Sequence, residues 1–258
     1  LDRIKFVTNY PRDMTTDLIH AVRDLPKVSH YIHVPAQHGS DDVLKRMKRG
    51  YTIGQYMEML GRLREAIPHA AVSSDFIVGF CGETDQEFAL SLELVKTVKF
   101  KNSFIFKYSP RPGTKAFERQ SDDVPESVKK ERNRLLQEAQ AGASLEGNRR
   151  FVGSRQQVLV EGLSTRDERQ AVDPGPDGLA QLTGRTMCDR IVVFDAPLRL
   201  IGRLVDVEIT SAGAWSLAGD VADDLANAIP LDHLEQSGPS VHQIEVPAQT
   251  PQRGTQKA

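Results

Sequence analysis

Residues Ser73 to Thr84, SSDFIVGFCGET, constrain the fold more than any other stretch, because they read as a buried strand that turns on glycine and opens a helix. Counting by twos puts Ser73, Asp75, Ile77 and Gly79 on one face and Ser74, Phe76, Val78 and Phe80 on the other. The second face is apolar enough to carry a helix. The first sets a carboxylate among small residues, which suits the lining of a site better than the middle of a packed layer. Gly79 and Gly82 allow a tight turn and a close approach of backbone to a ligand. Thr84 with Glu87 matches a capping box, so a helix is predicted to begin there. α/β barrels and doubly wound sheets build their binding sites from this kind of unit, at the C-terminal ends of the strands.

The flanking sequence repeats the plan. Ile4 to Pro11 reads as a strand ending in a turn, and Thr15 to Leu25 spaces Leu18, Ile19, Val22 and Leu25 as a helix does. Tyr31 to Ser40 is the next strand and loop, with Tyr31, His33, Pro35 and Gln37 on one face. Ser40 can cap a helix through Val43, Leu44 and Met47 that Gly50 stops, and Thr52 with Gln55 makes a second capping box. Asn102 to Thr114 is a fourth strand and turn. Four strands alternating with helices imply a parallel sheet. From Pro125 to about Asn148 a long charged helix closes a first domain, 1–148. Beyond it, five short strands (RQQVLVEG, GLAQLTGRT, RIVVFDA, GRLVDVEIT, AWSLAGDV) predict a small antiparallel β-barrel over 149–220. Residues 221–258, rich in Pro, Gln, Gly and Ser, read as a disordered tail.

Several classes are excluded. No apolar run approaches the roughly 20 residues that cross a bilayer, so no membrane is expected and the chain reads as cytoplasmic. Cys81 and Cys188 alone cannot build a four-cysteine zinc site or hold an iron–sulfur cluster, so no metal site is expected. A net charge of -2 rules out nucleic-acid binding by bulk electrostatics and leaves only local clusters. The sequence opens in mid-pattern at Leu1, which leads us to expect a preceding N-terminal portion.

Five motifs carry a family resemblance. QHGSDDVLKRMKRGYT (Gln37 to Thr52), SSDFIVGFCGET and YSPRPGT (Tyr108 to Thr114) resemble the later barrel motifs of radical-SAM methylthiotransferases. LTGRTMCDRIVVFDAP (Leu182 to Pro197) and SLAGD (Ser216 to Asp220) resemble their C-terminal TRAM domain. The resemblance covers about residues 1 to 220 and implies an α/β fold: the last four strands of a six-stranded partial parallel (β/α) radical-SAM barrel, then an OB-like TRAM barrel. Details such as the glycine of QHGS resemble the MiaB-type branch, which methylthiolates isopentenyl-adenosine beside the anticodon of tRNA. The cofactors implied are S-adenosylmethionine and two [4Fe-4S] clusters. Their cysteine motifs, a CxxxCxxC loop and three N-terminal cysteines, do not occur here. The expectation is therefore a C-terminal portion, inactive alone, with no catalytic residue of its own and a monomeric state. The alternatives are a ribosomal-protein methylthiotransferase and a non-enzymatic RNA-binding remnant. Cys81 stands where relatives commonly have proline and reads as a small packing residue.

The resemblance assigns this part of the barrel to S-adenosylmethionine and the target base. Gln37, Ser40, Asp75, Lys107, Tyr108, Ser109 and Arg111 fall at or near strand ends on the expected rim. Gln37 and Ser40 can hydrogen-bond a ribose or amino-acid moiety, Asp75 can accept from an ammonium or hydroxyl, and Arg111 can pair with a carboxylate or phosphate. Each has a plainer reading: Ser40 as a helix cap, Asp75 as a satisfied carboxylate, Arg111 as a brace between prolines. His33 reads as a hydrogen-bonded core histidine. In the small barrel, Arg149, Arg150, Arg155, Arg185, Arg190, Arg199 and Arg203 offer guanidinium groups to the phosphates of a tRNA anticodon stem-loop, provided that they gather on one face. The sole tryptophan, Trp215, is expected in the barrel core, with base stacking as the other reading.

Overall fold

A computed structural model describes residues 2–7, 9–170 and 178–222; the predicted disordered tail lies outside them, apart from Val221 and Ala222. A short 3-10 turn (Pro11–Asp13) leads to α1 (Thr16–Asp24). Three parallel strands follow, β1 (Tyr31–His33), β2 (Ala71–Val78) and β3 (Asn102–Lys107), hydrogen-bonded in that order. Between them run α2 (Asp41–Arg46), α3 (Ile53–Ala66) and α4 (Asp85–Val98), and after them α5 (Lys115–Arg119) and α6 (Glu126–Arg149).

Local chemistry sets these boundaries. Both predicted capping boxes form, Thr52 with Gln55 at α3 and Thr84 with Glu87 at α4. Predicted and observed strands differ in two places. The strand expected at Ile4 reduces to one parallel bridge to Val28, and Ile4 and Val7 remain exposed. The second strand stops at His33, since Pro35 has no amide hydrogen to donate, and rejoins the sheet through Gln37 opposite Phe76. Helix α2 ends before Gly50, where Lys48 takes the left-handed conformation with φ 60°.

Alternation along the strands separates two faces. Ile32, Val34, Val72, Phe76, Val78 and Ile105 join Tyr56, Leu60 and Leu63 of α3, Val95 and Val98 of α4 and Leu136 of α6 in one apolar core. On the opposite face Phe104 and Phe106 are 53% and 54% exposed.

The second half forms a closed barrel in the order β4–β5–β6–β8–β7. Its strands are β4 (Arg155–Leu163), β5 (Leu179–Thr186), β6 (Ile191–Pro197), β7 (Leu204–Ala212) and β8 (Leu217–Val221), with a short helix α7 (Thr165–Gln170) after β4. All five strands fall where predicted. The pairing is antiparallel except between β6 and β8, which run parallel. Val158, Val160, Leu182, Phe194, Val207 and Ile209 are buried at alternate positions, as a filled small barrel requires.

One carboxylate ties the two halves together. Asp189, buried and left-handed at φ 62°, meets Lys5 at 2.7 Å, Lys101 at 3.0 Å and Arg185 at 3.1 Å. Burial opposes its charge, yet Lys101, Lys5 and Arg185 outweigh that cost and hold its carboxyl below the ordinary value. Asp189→Asn keeps the shape and tolerates the same backbone. It is expected to cost roughly 2–5 kcal/mol in urea unfolding at neutral pH, because Lys5 and Lys101 lose this partner and Arg185 retains Glu161 alone of its two acids. A lowered carboxyl contributes stability that is complete above its unfolded value and lost as pH falls through its folded value. The gap between wild type and variant should therefore close in acid, below the ordinary carboxylate range.

Candidate functional site

The open face of the sheet carries a chain of polar side chains from β1 to β2. Tyr31 Oη and Ser73 Oγ are 2.6 Å apart, Ser73 Oγ and His33 Nδ1 2.7 Å, and His33 Nε2 stands 3.4 Å from Asp75 Oδ2. His33 is buried, as expected of a hydrogen-bonded core histidine, and holds Asp75 from behind. Asp75 remains partly exposed on the face that Phe104 and Phe106 share. Burial raises the Tyr31 phenol above its ordinary value, so it stays a neutral partner.

At the C-terminal ends of the strands the chain folds into a rim. Gln37 is left-handed at φ 67°, donating its amide to Asp75 O at 2.8 Å and accepting from Ile77 N at 2.9 Å. A non-glycine residue in that conformation persists only where its surroundings hold it. Lys107, Tyr108, Ser109 and Arg111 line one cavity of about 420 Å³ together with Arg49, Ile77 and Phe106. Tyr108 packs edge-on against Phe80 at 4.9 Å, and burial with the Cys81 thiol beside it pushes its phenol up to about 12. Lys107 is paired with Glu126, and the Arg111 carbonyl accepts from Thr114, closing the turn.

The predicted rim residues thus divide. The four from Lys107 to Arg111 share a cavity, whereas Gln37 and Asp75 are not among its lining residues; Gln37 meets β2 through the backbone of Asp75 and Ile77. Ser40 is different: it is buried, and its hydroxyl caps α2 by accepting from Val43 N. Its plainer reading describes what the structure shows.

A group missed by sequence reasoning holds this rim. Glu83 and His38 are fully buried, with His38 Nε2 3.3 Å from Glu83 Oε1. The other carboxylate oxygen accepts from the amides of Gly79 and Phe80, the latter at 3.0 Å. Arg132 of α6 lies 3.6 Å from the same carboxylate and donates to the Glu83 carbonyl at 3.0 Å. Glu83 therefore fixes the turn between β2 and α4 and links it to α6. An acid four residues after a strand-ending glycine was the available signal, but its partners are 45 and 49 positions away in sequence.

The arginines of the small barrel do not form one free face. Arg185 is spent on Glu161 and Asp189, and Arg190 stacks over Phe151 at 4.3 Å and donates to Asn148. Arg155 pairs with Asp206, and Arg150 reaches Glu146. Arg149 is the last residue of α6, Arg199 lies in a 3-10 turn (Leu198–Leu200) before β7, and Arg203 adjoins β7 in sequence. Trp215, expected in the core, is 62% exposed instead, because it sits in the turn between β7 and β8 rather than on an inward strand position.

Neither cysteine suits an iron–sulfur cluster. Cys81 is buried with Val43 and Phe80, and Cys188 is buried with Tyr31 and Ala71. Among the described residues no three His, Cys, Asp or Glu side chains gather as metal ligands. No described helix is long and apolar enough to cross a membrane.

Comparison with known proteins gives two domain matches and several close relatives. The Radical SAM superfamily matches residues 1–95 and the TRAM domain residues 149–222. The tRNA-2-methylthio-N(6)-dimethylallyladenosine synthase of Rhodopirellula baltica is 55% identical over 221 residues, 86% of this chain and 46% of that protein. Proteins of the same name from Acidovorax sp. and Acetivibrio thermocellus are 43% and 41% identical over 221 residues, covering 47% and 44% of their own lengths. The chain spans about half the length of the curated relatives it matches. A coproporphyrinogen III oxidase from Escherichia coli, titled a radical SAM enzyme, aligns with 72% of this chain and 46% of its own at TM-score 0.45 and 17% identity, a likeness too slight to argue from.

The Glu83 cluster generates a test. Glu83→Gln keeps the size of the side chain but removes the charge that faces Arg132. It is expected to cost roughly 3–5 kcal/mol in urea unfolding. In a double-mutant cycle with Arg132→Met the two losses should be strongly non-additive; simple additivity would show that the residues do not act as one unit.

Proposed function

We propose that this chain, which belongs to the radical-SAM methylthiotransferases that carry a TRAM domain, is the C-terminal portion of a tRNA-2-methylthio-N(6)-dimethylallyladenosine synthase. The observation that carries the reading is 55% identity over 221 residues to a protein of that name, running through both matched domains. In this reading residues 1–148 form part of the radical-SAM barrel and 149–220 the RNA-binding module. The partner is the anticodon stem-loop of a tRNA, the working form is a monomer and the compartment is the cytoplasm.

The rim suits a ligand such as S-adenosylmethionine, which supplies, when bound, the sulfonium that radical-SAM chemistry cleaves. Its α-carboxylate calls for a cation and its ammonium for a carboxylate, the roles this reading gives to Arg111 and Asp75. Apolar walls from Ile77 and Phe106 offer contact to a base. Gln37, held left-handed over the end of β2, brings further polar groups to the same rim. Lys107, Tyr108 and Ser109 complete its β3 side. The two [4Fe-4S] clusters that the family uses find no ligand set in these residues, so no step through them is assigned to this chain. On this reading residues 1–258 hold cofactor and substrate and depend on a preceding cluster-bearing half for chemistry.

A complementation assay tests the reading. In a strain lacking its own methylthiotransferase, a full-length protein containing this half is expected to restore 2-methylthio-adenosine in tRNA digests, whereas residues 1–258 alone are not. Restoration by the short chain would overturn the assignment of the chemistry to a missing half. In the full-length protein, Arg111→Ala should lower kcat/KM about tenfold or more with unfolding unchanged, if Arg111 contacts the bound cofactor or RNA.

A further inference from the structure

A cavity of about 760 Å³ lies away from this rim, at the N-terminal end of β3 where the sheet meets the small barrel. Four cationic side chains line it, Lys5, Lys101, Arg185 and Arg190, against the single carboxylate of Asp189. That leaves an excess of positive charge inside a concave wall. Two aromatic side chains share its lining, Phe104 and Trp215, both more than half exposed.

The exposure of Trp215 is built rather than incidental. Its turn is closed by Gly213 N donating to Ser216 O at 2.8 Å. Asn148, buried at the end of α6, donates to the carbonyls of Gly213 at 2.9 Å and Ala214 at 3.3 Å. The same amide side chain accepts from Arg190 Nε at 3.0 Å, and Arg190 is braced on Phe151. One buried asparagine thus fixes both an exposed indole and a cation on the wall of one cavity. Folding alone gives no reason to hold an indole in water. Aromatic platforms beside cations are how proteins grip single-stranded nucleic acid, with bases stacking and phosphates meeting the positive charge.

We propose that this cavity is a second RNA subsite, which takes an unpaired nucleotide with its base on Trp215 and its phosphate toward Lys5, Lys101 and Arg190. The inference rests on the RNA-modifying reading above and adds a location that neither the rim nor the outer strands of the barrel provide. It also explains why the arginines are not gathered on the barrel surface: two of them face this cavity.

The chain has a single tryptophan, so intrinsic fluorescence reports on this site alone. Titrating residues 1–258 with a single-stranded heptaribonucleotide is expected to quench Trp215 saturably, and S-adenosylmethionine at the same concentrations is not. By anisotropy of a labelled oligomer, Trp215→Ala should weaken binding about tenfold or more, as loss of one stacked base does. Lys5→Gln should weaken it and flatten the salt dependence by about one unit in the log–log slope. If the chain binds an anticodon stem-loop with Trp215 unquenched and Trp215→Ala without effect, the subsite is wrong while the RNA reading stands. If neither RNA binds, the broader reading falls with it. Quenching by S-adenosylmethionine instead of RNA would make the cavity a cofactor site and overturn the proposal.

Discussion

The site depends on a carboxylate that water never reaches. Glu83 is fully buried and placed where β2 gives way to α4, a position where an acidic side chain would cost several kcal/mol without partners. Its partners repay that cost. The amides of Gly79 and Phe80 would be orphaned in a tight turn, and Glu83 satisfies both at once. Arg132 brings the opposite charge from α6, and its other nitrogen reaches Asp85 at the start of α4. Three elements are therefore fixed by one side chain. Gly79 is required for the same geometry: its φ is +70°, and a Cβ there would stand 2.3 Å from Lys129 Cγ. A polar loop at a strand end is useful only if it stays in place, and here ionic and steric constraints hold it together.

A second buried carboxylate does for the junction what Glu83 does for the rim. Asp189 gathers Lys5 from the N-terminal segment, Lys101 from the turn before β3 and Arg185 from β5. Burial lowers Lys101 below its ordinary value, which Asp189 only partly offsets. The two hubs differ in consequence. Around Glu83 one acid faces Arg132 and a histidine in a closed space, whereas around Asp189 the cations outnumber the acid beside an open cavity. Only the second arrangement leaves positive field available to a ligand.

What was legible in the sequence was whatever one segment decides for itself. Thr52 and Thr84 announced their helices because a capping box is complete within four residues. The five barrel strands were legible because each alternates and is bounded by turn residues. The cavity residues Lys107 to Arg111 were found because a strand end followed by a proline turn marks a rim. What sequence could not show was pairing at a distance. His38, Glu83 and Arg132 meet only after folding, and the destinations of Arg185 and Arg190 depend on a junction between two domains. The bridge at Ile4 failed as a strand for a related reason: β-propensity describes a pleated surface with neighbours, and Ile4 meets the sheet edge only through Val28. Trp215 misled because hydrophobicity favours the core for a tryptophan, while its position in a turn was the stronger determinant.

Strand β3 states the logic of the open face. Ile105 packs into the core, while Phe104 and Phe106, one residue to either side, project from the opposite face and remain more than half exposed. Exposed apolar surface forgoes about 25 cal/mol for every Å² left in water, and polar residues at these two positions would have folded as well. Phe106 belongs to the cavity of Arg111 and Tyr108, and Phe104 to the cavity of Trp215 and Lys101. The same alternation that builds the core thus sets both rings on the open face, and a single strand joins the cavity of Tyr108 and Arg111 to the cation-lined cavity.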